Sequence, residues 1–342
     1  MLISWNITKA CNLKCEHCYR DAGLAAHDEL NLLEGKKLLI ELKDLNFRMI
    51  IFSGGEPVLR EELFQWIPFA RESGLISVLG TNGTLIDEEC AGRLKQAGLK
   101  RLGISIDSVD EKKHDKFRCL DGAWKQAVWG MGNAKKAGIE FQVHTTVTKK
   151  NINEILTITD FAQNIGARAH HIFFLVPTGR GNEIDDVIPS AREYERLIEE
   201  ILQKQKTVTL ELKPVCAPQF MRIAKEKNIK TRFEKGCLAG ISYACVLPNG
   251  EVHPCPYMPI NLGNVRDDGG FKKIWQENKV FEDLRSLKLN GKCGICEFKT
   301  LCSGCRAAAF HQSAGDYLAE DPNCDYEPKT KTNSENSQNI TV

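Results

Sequence analysis

The sequence predicts an α/β fold, a partial (β/α)6 barrel followed by a small cysteine-rich domain. Three observations carry that reading. Six short β-rich runs alternate with longer amphipathic runs over roughly residues 1–210, the alternation then stops, and eight of the fourteen cysteines lie beyond residue 236. Strict β–α alternation calls for parallel strands joined by right-handed crossovers. Six such units are too few to close an eight-stranded barrel, so an open one is expected, with its site at the C-terminal ends of the strands.

The elements follow in order. "LISWNIT" at the start, "RMIIFSGGEP" (48–57), "ISVLGTNG" (76–83), "LGISIDS" (102–108), "FQVHTTV" (141–147) and "AHHIFFLVP" (169–177) read as buried strands, rich in β-branched and aromatic residues. Helical runs lie between them at 30–46, 60–74, 87–99 and 124–138. Gly74, Gly98, Gly138 and Gly166 follow helical stretches, where a left-handed cap is favoured. After a helical run at 190–206 the chain becomes rich in Cys, Pro and Gly and short of long helices, as when bound metals replace a large apolar core. The expected division is a barrel over 1–210, a cysteine-rich domain over 211–326 and a polar, disordered tail over 327–342.

Composition narrows the function class. Apolar residues make up 42% and charged residues 27% of the 342, with a formal charge of +1, so neither a nucleic-acid nor a membrane partner is indicated. No run is long and apolar enough to span a bilayer. The opening residues lack a basic stretch followed by an apolar one, so no secretory signal is read and a cytoplasmic location is expected. There, clustered cysteines read as metal ligands, since a disulfide reading would need export.

"KACNLKCEHC" (9–18) places Cys11, Cys15 and Cys18 in the loop after the first strand, with no further cysteine until Cys90. Thiolates at this spacing suit an iron–sulfur cluster with one iron left for a non-protein ligand; a zinc site completed by His17 is the alternative. Cys-x3-Cys-x2-Cys in this place resembles the signature of the radical S-adenosylmethionine (radical SAM) enzymes, whose core is a partial TIM-type barrel. The resemblance implies that the amino and carboxylate groups of the cofactor chelate the remaining iron, and that a reduced [4Fe-4S] cluster cleaves the sulfonium to a 5′-deoxyadenosyl radical. It also implies an electron donor of the flavodoxin or ferredoxin kind. "SGGEP" (53–57) resembles the family's segment for the cofactor's ammonium, with Gly54, Gly55 and Glu56. Thr81 and Asn82 of "GTNG", and Ser105 and Asp107 of "SIDS", fall where ribose and carboxylate would lie. His17 departs from the aromatic that many members carry at that position.

The C-terminal cysteines form a second pattern, in which Cys237 precedes Gly250-x4-Cys255 and "CGICEFKTLCSGC" gives Cys293, Cys296, Cys302 and Cys305, with Cys324 beyond. This resembles the SPASM extension, which carries auxiliary [4Fe-4S] clusters. By that analogy Cys237, Cys245, Cys255 and Cys305 hold one cluster and Cys293, Cys296, Cys302 and Cys324 another. Two residues between Cys302 and Cys305, where the family commonly has three, leave one or two auxiliary clusters open, and a zinc ribbon is the alternative. Cys90 reads as a buried thiol and Cys119 as a loop residue without a partner. Cys216, between two prolines, reads as structural or as facing a substrate.

Within the family, "HHIFFLVPTGRGNE" (170–183) resembles the heme-biosynthesis branch, whose members act on tetrapyrrole side chains. With the first cluster cysteine at residue 11, no peptide-binding domain is expected ahead of the barrel. The implied reaction is oxidative decarboxylation of Fe-coproporphyrin III propionates to vinyls, with an auxiliary cluster as electron acceptor. Cations near strand ends would hold the other carboxylates: Arg20, Arg118, Arg168, His170, His171 and Arg180. A histidine could instead ligate the heme iron. A peptide maturase forming thioether or carbon–carbon crosslinks, and a non-catalytic metal-binding protein, stay open at this point.

Overall fold

A computed structural model describes residues 1–329. Of the tail expected over 327–342, residues 330–342 lie outside the described ones. The barrel runs β1 (Leu2–Asn6), α1 (Leu32–Asp44), β2 (Met49–Ser53), α2 (Leu63–Glu72), β3 (Ile76–Thr81), α3 (Glu88–Ala97), β4 (Arg101–Ser105), α4 (Glu111–Arg118), α5 (Ala123–Lys136), β5 (Glu140–Val147), α6 (Ile155–Asn164), β6 (Ala169–Phe174), α7 (Ala191–Lys204) and β7 (Glu211–Val215). The remainder is α8 (Gln219–Glu226), β8 (Tyr243–Val246), β9 (Val252–His253), α9 (Gly270–Glu277), α10 (Lys279–Ser286), α11 (Gly291–Ile295) and α12 (Arg306–Gln312).

All six expected strands form and pair in parallel, in the order β7-β6-β5-β4-β3-β2-β1-β8-β9. The two ends of that order are different strands, so the barrel stays open. Two features of the sheet bear on the expected division. Residues 211–215 form a seventh barrel strand, paired with β6, and β8 adds to the other edge in register with β1 from Leu2↔Tyr243 to Trp5↔Val246. The sheet therefore crosses the boundary expected at residue 210. Short α8 to α12, none longer than eight residues, match the expected lack of long helices in the C-terminal part.

Local chemistry explains where the helices start. Asn31 and Glu34 form a reciprocal capping box on α1, and Ser190 and Glu193 form one on α7. Gly98 takes a left-handed φ of 94° after α3, a conformation that strains any residue with a Cβ. Between sheet and helices, Trp5 packs on Trp66 at 4.5 Å and on Phe52 at 5.9 Å, all three fully buried. Each such aromatic stabilises the fold by ~1.5–3 kcal/mol relative to exposure. β5 shows the alternation that fixes the two faces of the sheet. Phe141, Val143, Thr145 and Val147 are buried, whereas Gln142, His144 and Thr146 are only partly so.

Candidate functional site

The loop between β1 and α1 carries Cys11, Cys15 and Cys18, and other strand ends hold it in place. Cys11 N–H donates to Gly23 O at 2.9 Å and Gly23 N–H to Lys9 O at 3.0 Å, closing the loop on itself. Arg180, after β6, donates from its backbone N–H to Cys18 O, and from Nε to Cys15 O, at 3.0 Å each, and Nη1 reaches Asp21 and Ala22 O. A Cβ on Gly55 would lie 2.1 Å from Ala10 O, so only glycine lets the segment after β2 approach this closely. Gly55 N–H and Glu56 N–H use that approach to donate to Thr8 O and Ala10 O.

Each of the three sulfurs accepts an N–H from the protein: Cys11 from Leu13 at 3.4 Å, Cys18 from Ala22 at 3.5 Å, and Cys15 from Arg118 Nη1 at 3.9 Å. Such donors set the potential of a thiolate-bound cluster. Burial pushes the Cys11 thiol up to about 11, so metal binding must displace its proton. Arg118 is itself fixed by Asp107, whose Oδ2 accepts from Nε and Nη2 at 2.7 and 2.6 Å. Burial works to raise the Asp107 carboxyl, but the guanidinium beside it holds it below its usual value. Burial keeps His17 neutral, near 3, with its ring stacked 4.0 Å from Phe117.

The strand-end motifs converge on the same loop. Glu56 is fully buried and accepts from Thr81 Oγ1 at 2.7 Å and from Asn82 N–H at 2.9 Å. Burial lifts its carboxyl to about 7 against the pull of those donors. Asn82 donates to Asn12 inside the triplet loop at 2.9 Å, and Ser105 Oγ reaches Thr81 O. Asn12 was legible only as a loop polar residue; its partner lies seventy residues on.

The second group of cysteines also lies where donors meet sulfur. Cys293, Cys296, Cys302 and Cys324 line one small hollow with Arg222, Lys292 and Asp321. Cys293 accepts from Asp321 N–H and Arg306, and Cys296 from Phe298 N–H. Cys237 and Cys255 pack with Cys305, but Cys245 does not join them in that group. Cys245 lies on β8, and its sulfur accepts from Asn6 Nδ2 at 3.3 Å and from Arg20 Nη2 at 3.7 Å. Cys216, expected to be structural or to face a substrate, packs against the same buried cluster that contains Cys305. Every cysteine is a free thiol. Among the described residues no group of three or more His, Cys, Asp or Glu is arranged to hold a single metal ion.

The expected substrate cations are mostly committed elsewhere. Arg118 and Arg180 hold the triplet loop, and Arg20 donates to Pro256 O at 2.7 Å. Arg168 is an exposed partner of Glu140. His170 is fully buried and bonded to Thr159 of α6 and Thr145 of β5, so it faces the helix layer. Its neighbour His171 faces the opposite way, into the barrel. There its ring stacks 5.4 Å from His144, with the Gln142 amide between them. His144 carries no motif of its own; period-two alternation in β5 places it on the inner face.

A three-thiol loop on an open parallel barrel, followed by a domain with two further thiol sets, defines the class. The chain belongs to the radical SAM superfamily: that family's model matches residues 5–162, and a SPASM iron–sulfur cluster-binding domain matches residues 237–306. It is 41% identical to an AdoMet-dependent heme synthase of Methanosarcina barkeri, over 96% of this chain and 97% of that protein. It is also 31% identical to an Fe-coproporphyrin III synthase of the same organism, over 94% of this chain and 87% of the relative. In fold it resembles SuiB of Streptococcus suis bound to S-adenosylmethionine, with a TM-score of 0.74 and 16% identity over 95% of this chain and 77% of that one. The cofactors are S-adenosylmethionine and [4Fe-4S] clusters, one for the radical chemistry and one or two auxiliary. Among the described residues no helix is long and apolar enough to cross a membrane.

Proposed function

We propose that this enzyme modifies tetrapyrrole side chains in heme biosynthesis, by oxidative decarboxylation of Fe-coproporphyrin III propionates to vinyls. The observation that carries the reading is the near full-length identity of 41% to a heme synthase, joined to a complete triplet site in this chain. Cys11, Cys15 and Cys18 would hold the catalytic cluster, and Gly54, Gly55, Glu56, Thr81, Asn82, Ser105 and Asp107 would surround the cofactor. With these groups bound, the clusters and S-adenosylmethionine supply a radical that abstracts hydrogen and an acceptor for the electron left over. The net change at each propionate is loss of one hydrogen atom, one CO2 and one electron.

The chain's own residues position this chemistry. Arg180 and Gly55 fix the height of the triplet loop, and Arg118 offsets negative charge at Cys15 while Asp107 holds it in place. His144 and His171 line the inner face, with Lys213 paired to His171 across β6 and β7. Burial lowers the pKa of Lys213, and a propionate beside it would favour its charged form. An electron donor of the flavodoxin or ferredoxin kind would meet the open hollow beside the triplet loop, where Lys9 and Lys14 supply positive charge and Arg180 is paired with Asp21. A cytoplasmic location accords with fourteen unpaired thiols.

The test is anaerobic incubation of the cluster-loaded enzyme with S-adenosylmethionine, dithionite and Fe-coproporphyrin III, read by mass spectrometry. Loss of two CO2 equivalents is the expected result. An unchanged porphyrin beside steady 5′-deoxyadenosine formation would sink the substrate assignment while leaving the radical chemistry intact.

A further inference from the structure

We propose that Cys216 is the fourth ligand of one auxiliary cluster, with Cys237, Cys255 and Cys305, and that Cys245 is not a ligand. The sequence analogy gives this place to Cys245, because it lies between Cys237 and Cys255 in the chain. Backbone geometry separates the two candidates. Cys245 sits in the middle of β8, paired with Ser4 on one side and His253 on the other. Two ladders fix its orientation, and its neighbours Ala244 and Val246 belong to the main core. Its sulfur is already engaged by Asn6 and Arg20. Turning it toward Cys305 would break both contacts and strip Arg20 of an acceptor.

Cys216 has none of these restraints. It is the first residue after β7, and its φ is +60°, a left-handed value that a residue with a Cβ adopts only where its surroundings impose it. That turn takes the thiol out of the strand's alternation. The thiol packs, as Cys237 and Cys255 do, against the buried cluster that contains Cys305, Val176, Ala239 and Met258. Four free thiols meeting in one desolvated pocket are a donor set suited to a cluster.

The assignment has a consequence for architecture. Cys216 ends the seventh barrel strand, whereas the other three ligands belong to the C-terminal domain. One cluster would therefore clamp the last barrel strand to that domain, and all four of its ligands would be protein thiolates. The inference rests on the auxiliary clusters that the SPASM match implies, not on the identity of the substrate.

Cys216→Ala and Cys245→Ala, each reconstituted anaerobically, test the proposal by iron and sulfide analysis and by electron paramagnetic resonance after reduction. Cys216→Ala is expected to lose about four irons per chain and one cluster signal, keeping the signal of the triplet cluster. Cys245→Ala is expected to keep the wild-type iron content and spectrum. Full iron in Cys216→Ala, or loss of a cluster in Cys245→Ala, would overturn it. Cys216→His supplies an arm that does not require deleting the ligand. Nitrogen hyperfine coupling on one reduced cluster is expected there, and its absence overturns the proposal as well.

Discussion

Glu56 shows how much a single buried side chain can set. It has no cation beside it; three N–H and O–H donors, from Val58, Thr81 and Asn82, hold its carboxylate. Burial nevertheless raises its pKa to about 7. The sign follows directly. A raised carboxyl is partly protonated near neutrality, and only the ionised form attracts an ammonium, so binding of S-adenosylmethionine must expel a proton. Its affinity for the cluster-loaded protein should rise between about pH 6 and 8, by up to roughly tenfold per unit below the folded pKa. Glu56→Gln should weaken binding and flatten that profile, as calorimetric titration would read. Equal affinity at both pH values in the wild type would remove Glu56 from the ammonium site. Arg118 makes a different point at the same scale. Its place in the sequence, at the end of a helix, says nothing of a buried ion pair with Asp107 or of a sulfur 3.9 Å away.

At the scale of elements, the strand-to-loop junctions carry the site. The segment after β2 threads beneath the triplet loop, and backbone atoms of Lys9 and Ala10 crowd the space where a Gly55 side chain would go. No flexible side chain is there to yield. Gly55→Ala should therefore cost about 1–3 kcal/mol of stability. Because the displaced atoms belong to the cluster loop, iron at the triplet should fall while auxiliary iron stays. Thermal unfolding and iron analysis of the one variant read both effects, and a variant with wild-type melting and full iron would contradict the packing argument. The histidine pair in β6 is the counterpart. Strand alternation forbids adjacent residues from sharing a face, so His170 and His171 could not both have lined the site. The fold assigns His170 to the helix layer, where Thr159 and Thr145 satisfy it.

The whole molecule is less divisible than its composition implies. Cysteine density changes near residue 210, yet β7, β8 and β9 continue the barrel sheet beyond that point. Phe47, at the foot of the barrel, packs against Phe271 and Trp275 of α9 at 5.7 and 5.2 Å. A fragment of residues 1–210 would bare the β1 edge, with Ile3 and Trp5 beside it, and the β6 edge together. Such edges associate in preference to staying single. The fragment is expected to aggregate or to melt without cooperativity, whereas the full chain should melt cooperatively, as size-exclusion chromatography and circular dichroism would show. A monomeric, cooperatively folding 1–210 fragment would mean that the barrel stands alone.

The sequence by itself determined what depends on neighbours along the chain. Strand and helix periods, capping residues and the spacing of Cys11, Cys15 and Cys18 are local, and with them came the barrel, the cluster loop and the cysteine-rich domain. Tertiary structure decided what depends on distant partners. Cys216 joins the cluster of Cys305 across nearly ninety residues, Arg20 donates to Pro256 O, and Arg180 is committed to the triplet loop. A thiol or guanidinium carries no local mark of its partner. Its role is fixed only when folding removes water and leaves one acceptor or one sulfur within reach.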